Sequence, residues 1–225
     1  MLQNYRPAYR RRYARGFTLV ELMVVVVIIT ALAALAVPSI LRQMRDRRTR
    51  QAAEEIASLY RQARLRALGR GSAVMVRYNA ATGFQIREAV VGGSNTCARL
   101  PSTSCTTTQW GQGPTVANGD QLISGFNPTS NVYDGVVSTA HAGDPNLGGG
   151  SAVTADPSVS VLDICFTPMG RTLFRIVDGA NTPLFPMTGV PLIEVKRHSD
   201  DTHFEGLTRN VIIPPNGLAR TDVAQ

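Results

Sequence analysis

The sequence is short of the residues that most enzymes use for chemistry. It has three histidines, His141, His198 and His203, and three cysteines, Cys97, Cys105 and Cys165, in 225 residues. No serine or cysteine lies in a nucleophile elbow. The run Gly148-Gly149-Gly150 has no strand before it and neither a helix nor a P-loop lysine after it, so it reads as a flexible loop and not as a phosphate cradle. His198 and His203 are five residues apart, with Asp200, Asp201 and Glu205 close by, but that spacing lacks a helical or finger-like frame and fits a solvated loop better than a metal site. The sequence therefore nominates no catalytic residue, no metal and no cofactor, and the expectation is a protein that is not an enzyme.

Acids are missing from two places, and those gaps are informative. Residues 1–16 hold Arg6, Arg10, Arg11, Arg12 and Arg15 with no acid, and residues 17–41 are apolar apart from a few hydroxyls and the single carboxylate Glu21. The formal charge of +7 would suggest a polyanion partner, yet five of the 23 bases lie in the first 16 residues. A chain that begins at Phe17 carries 18 bases against 16 acids. Nine arginines against Asp46, Glu54 and Glu55 are concentrated in residues 42–70, while residues 71–225 hold nine bases against twelve acids.

As a helix, residues 17–41 would extend about 37 Å, enough to cross a hydrocarbon core of roughly 30 Å. The arginines ahead of this segment place the leader in the cytoplasm and residues after 41 on the far side, the periplasm of a diderm bacterium. An ordinary secretory signal cut after Ala34-Leu35-Ala36 fits less well, because its apolar core would be at the upper limit of length and would contain an unexplained acid. Arg11-Arg12 lacks the rest of a twin-arginine signal. A carboxylate in such a span costs about 2 to 3 kcal/mol, so Glu21 calls for a partner or a function.

The stretch Arg15-Gly16-Phe17-Thr18-Leu19-Val20-Glu21-Leu22 resembles the cleavage and methylation signal of type IV pilins and of the pseudopilins of type II secretion. The resemblance implies cleavage after Gly16 by a membrane-embedded prepilin peptidase and N-methylation of the new N terminus, Phe17. It also implies that Glu21, fifth in the mature chain, pairs with the N-terminal amine of a neighbouring subunit and guides assembly. Two further stretches, Cys165-Phe166-Thr167-Pro168-Met169-Gly170-Arg171 and Val211-Ile212-Ile213-Pro214-Pro215-Asn216-Gly217, resemble the strand-and-turn elements of the GspH/FimT branch. The implied partners are prepilin peptidase, other pilins or pseudopilins, the inner-membrane assembly platform and the membrane. Some FimT-type minor pilins are implicated in DNA uptake through a Gly-Arg-x-Arg motif. The matching place here reads Gly217-Leu218-Ala219-Arg220, one arginine short and followed by Asp222, which leaves Arg220 as the one arginine of that motif.

The sequence divides into a cleaved leader (1–16), a span (17–41), an amphipathic helix (42–70) and a β-rich domain (71–225) with a variable loop region (90–157). Pro38 predicts a kink or local unwinding of the helix. Ile56, Leu59, Tyr60, Ala63 and Ala67 form one apolar helical face, and Gly69 and Gly71 end the helix. The arginines of 42–70 read either as phosphate contacts to lipid or DNA, or as a solvated face whose first few arginines anchor the span at the interface, and the second reading is preferred. Residues 72–78 and 82–88 alternate as strands around Asn79-Ala80-Ala81, a hairpin signal. Loops with one or two short strands, such as 121–123, fill 90–157, and strands return at 159–167, 172–177, 191–197 and 209–213. Helix first and strands after predicts an α+β fold, a long N-terminal helix on a largely antiparallel sheet, as in pilins. In an oxidising compartment Cys97 and Cys105, with seven residues between them, are the expected disulfide. Cys165 then reads as a buried small side chain, the alternative being a reactive thiol.

Overall fold

A computed structural model gives the fold and describes residues 17–92, 100–128, 133, 135–141, 158–177, 183–198 and 206–224, apart from the side chains of Pro38, Arg42 and Ser158. Gly16 and the rest of the leader, Cys97, the triple glycine, and the acids and His203 of the 199–205 stretch fall outside the described residues. The chain forms two compact units, Met1–Gln43 and Met44–Gln225.

One helix, α1 (Leu19–Arg70), belongs to both units. It starts at a cap: Thr18 Oγ1 accepts from the Glu21 amide at 3.2 Å, and the Leu22 amide donates to the Thr18 carbonyl. Thr18 is thus the N-cap, with Glu21 in the positive first turn. The apolar stretch carries two further hydroxyls, both turned onto the helix backbone. Thr30 Oγ1 donates to the Val26 and Val27 carbonyls, and Ser39 Oγ to that of Ala36. Such back-bonding satisfies groups that hydrocarbon would leave without partners. The helix continues through Pro38 as one element. Gly71 ends it with φ of 66° and an amide that donates to the Ala67 carbonyl, a left-handed terminus open to glycine without steric cost.

Twelve strands follow in chain order: β1 (Val74–Asn79), β2 (Gly83–Val91), β3 (Leu100–Pro101), β4 (Asp120–Phe126), β5 (Val136–His141), β6 (Ser158–Val159), β7 (Val161–Phe166), β8 (Thr172–Ile176), β9 (Phe185–Pro186), β10 (Leu192–Arg197), β11 (Arg209–Ile212) and β12 (Arg220–Val223). They make two antiparallel sheets. The larger runs β3-β2-β1-β7-β8-β9, with β4 also paired to β2, and the smaller runs β12-β11-β10-β5-β6. The expected hairpin is present as β1 and β2. Asn79 Oδ1 accepts from the amides of Ala81 and Thr82 in its turn, and a side chain at Gly83 would strike the Phe126 carbonyl at 2.5 Å.

The main core lies between the second half of α1 and one face of each sheet. Ile56, Leu59, Tyr60, Ala63 and Ala67 are buried there, joined by Ala52, Ala53 and Ala57, which let the backbone approach closely. Val74, Val76, Tyr78, Leu162, Ile164 and Phe166 face the helix from the larger sheet, and Val136, Ile193, Val195 and Val211 from the smaller. β5 is a full core strand inside the region expected to be mostly loop, and β4 extends beyond the short strand anticipated at 121–123.

A smaller cluster occupies the other face of the larger sheet, where Met75, Ala89, Cys165 and Leu173 meet Cys105 and Trp110 of the loop at 102–119. Here the expected cysteine pairing is corrected. Cys105 bonds to Cys165, 60 residues away, and not to Cys97, so Cys165 is neither a reactive thiol nor a lone buried side chain. The physical reason is strand alternation. Met75, Cys165 and Leu173 are register partners across β1, β7 and β8, which aims Cys165 away from the helix and under the loop.

Charged groups beneath the same loop are fully paired. Asp163, completely buried, accepts from Arg77 through both carboxylate oxygens and from Arg175, each at 2.8 Å. Asp120, equally buried, accepts from Arg87 at 2.7 Å and from the amides of Gly111 and Gly113. Buried carboxylates require such partners.

Candidate functional site

The described part of the N-terminal signal begins at Phe17 and runs into the first turns of α1. Phe17 is 75 % exposed and lies next to the cap residue Thr18, and Glu21 is exposed one turn on. The large apolar side chains from Leu19 to Leu41 are exposed as well. This half of α1 is long and apolar enough to cross a membrane. The cap gives Glu21 a local role, since a carboxylate at the third helical position favours the free amides at that end. Thr18 joins the site only through the structure, although the Thr-x-x-Glu spacing signals it.

Residues 11–37 match the family model of the prokaryotic N-terminal methylation motif. The matched stretch takes in the last leader arginines, the Gly16–Phe17 junction, Glu21 and most of the apolar helix. The motif supports a type IV pilin-like protein processed by prepilin peptidase and anchored in the membrane by a single helix. No curated protein and no solved structure matches the chain.

Beyond the methylation motif, the two C-terminal stretches with family resemblance are brought together. Phe166 ends β7 in the main core, and Gly217 follows β11 with φ of 71°. A Cβ on Gly217 would lie 2.5 Å from Phe166 Cε1 and 3.1 Å from Arg64 Nη1. The glycine is thus required by both backbone and packing. Pro215 and the 167–171 turn, with Met169 89 % exposed, line an open groove of about 910 Å³ together with Thr103 to Thr106 of the stapled loop.

The arginines of α1 are not uniformly solvated. Arg66 donates to Glu88 at 2.9 and 2.7 Å, Arg70 pairs with the same carboxylate at 2.8 Å, and Arg61 donates to the Ala219 carbonyl. Burial works to raise the Glu88 pKa, but bonds from Ser72 and Arg66 and the charges of Arg66 and Arg70 outweigh it, and the carboxyl is held below its usual range. Arg50 pairs with Glu54, and Arg209 of β11 reaches Asp46 at 3.2 Å. Tyr133 donates to Glu55 at 2.6 Å, a bond that, with burial and the Glu55 charge, pushes the phenol pKa up to about 12.

Arg220 opens β12 as an exposed residue, two positions from the exposed Asp222. His198 is half-buried beside β10, and no group of three or more potential metal ligands exists among the described residues.

Proposed function

We propose that this protein is a minor pilin or pseudopilin of the GspH/FimT type. It is made as a precursor, cut after Gly16, methylated on Phe17, and held in the inner membrane with its β-rich domain in the periplasm until it enters a type II secretion pseudopilus or a type IV pilus. Glu21 pairs with the N-terminal amine of a neighbouring subunit, residues 17–41 pack in the filament core, and Pro38 is a point at which that helix bends. The supporting observation is the overlap of the methylation motif with an exposed apolar helix that begins one residue after the cap position next to Phe17. Once the leader is gone, the free amine lies at the positive end of the helix, four residues from Glu21, where a neighbouring carboxylate compensates it.

Mass spectrometry of the mature N terminus tests this reading. N-methylated Phe17 is expected, and an N terminus after Ala36 would replace the pilin reading with that of a secreted periplasmic protein. In Glu21→Ala, processing should persist while recovery in sheared filament fractions falls. Full recovery would remove the registration role.

A further inference from the structure

We propose that Arg47 and Arg48 form a binding site for anionic phospholipid headgroups at the point where α1 leaves the membrane. The inference rests on the span reading of residues 17–41. Met44 is 51 % exposed, and Arg47 and Arg48, three and four residues on, share its side of the helix. An exposed apolar side chain thus lies beyond the end of the span and is followed one turn later by two exposed cations. Arg47 is six residues past the end of the span, about 9 Å of helix rise against the roughly 5–8 Å depth of a headgroup layer, and its stem can lie back over Met44 while the guanidinium meets phosphate.

The surrounding charges leave these two arginines available. Asp46, the only acid between Arg42 and Arg50, is engaged by Arg209, and Arg50 is engaged by Glu54. Arg47 and Arg48 are both exposed, and neither enters an ion pair among the described residues. Thr49, between Arg48 and Arg50, is buried toward the domain, which fixes the register and turns the pair outward. A planar guanidinium binds phosphate through two parallel hydrogen bonds, and two arginines on adjacent positions suit the phosphates of neighbouring lipids.

The experiment uses the processed chain, beginning at Phe17, reconstituted into phosphatidylcholine bilayers containing a minor share of phosphatidylglycerol, with spin-labelled versions of each lipid reporting the motionally restricted shell. Wild type should prefer phosphatidylglycerol by roughly fivefold per arginine at low salt, with the preference shrinking as salt rises. Arg47→Gln/Arg48→Gln should remove the share of the preference that two arginines supply, and Arg50→Gln should leave the preference intact. An unchanged preference in the double variant, or parity already in wild type, overturns the proposal. So does duplex DNA that binds the reconstituted chain and loses binding in the double variant, since the arginines would then serve nucleic acid. An alkaline wash separates the underlying reading: a chain stripped from the vesicles refutes the span, whereas a retained chain without headgroup preference refutes the arginine site alone.

Discussion

Replacing Cys105 and Cys165 together by alanine should cost this protein a large part of its stability, and the size of the loss follows from the chain length between them. The two residues are 60 apart, and closing a loop of that length in the unfolded ensemble is worth about 4 kcal/mol in the chain-entropy treatment. Both side chains are buried, so alanine is the least disruptive replacement and adds only a small packing loss. For a chain of this size the deficit corresponds to a fall in Tm of roughly 8–16 °C. Thermal unfolding of the full chain in detergent, followed by Trp110 fluorescence, measures it. Trp110 is the single tryptophan, and its indole donates to the Cys105 carbonyl at 2.8 Å. The rival pairing of Cys97 with Cys105 would close a much shorter loop worth about 2.5 kcal/mol, which Cys97→Ala would then remove. With the observed bond, Cys97→Ala is neutral. Peptide mapping of the thiol labelled in the denatured, unreduced chain is an independent measurement: the label belongs on Cys97, and a label on Cys165 would refute the reasoning.

Tyr60 is wholly buried and its hydroxyl has no hydrogen-bond partner among the described residues, so Tyr60→Phe should be neutral or raise stability by about 1 kcal/mol in the same melt. Glu88→Gln should cost about 2 kcal/mol by weakening the ties to Arg66, Arg70 and Ser72. Because the folded Glu88 pKa is depressed, its contribution is complete above the unfolded value near about 4.3 and is lost as pH falls through the folded value. Acid titration of stability should therefore be shallower in Glu88→Gln than in wild type. Gly217→Ala should destabilise by about 1–3 kcal/mol, because it adds both a left-handed strain and a clash with the buried Phe166 ring, and a melt that matches wild type would contradict that packing.

The helix was the legible part of this molecule because its signals are local. Ile56, Leu59, Tyr60, Ala63 and Ala67 share one face through period alone, and Gly71 marks the end without any knowledge of the sheets. The hairpin at Asn79 was legible for the same reason. What escaped depends on contacts distant in sequence. Val136 to His141 gained its place as a strand from Leu192 to Arg197, some 55 residues later, and polar neighbours in its own sequence concealed it. The cysteine pairing failed similarly, since nearness in sequence favoured Cys97, whereas the register of three strands decided for Cys165. At the N terminus the methylation signal was readable as a motif, but the hydrogen bond that makes Thr18 its cap depends on where the helix begins. The arginines of α1 looked alike in sequence because nothing local shows that Glu88 lies opposite Arg66 and Arg70 while Arg47 and Arg48 face outward.

The polar ties along the second half of α1 also have a mechanical meaning. Asp46 to Arg209, Glu55 to Tyr133, Arg61 to the Ala219 carbonyl, and Arg66 and Arg70 to Glu88 are spaced along the helix from its first to its last turns within the domain, all flanking the same apolar face. A pull on the N terminus along the helix axis loads these attachments side by side in shear. No single one carries the force alone, in contrast to an unzipping geometry in which they would break in succession. Force applied along that helix would move the folded domain as one body before any of these attachments gave way.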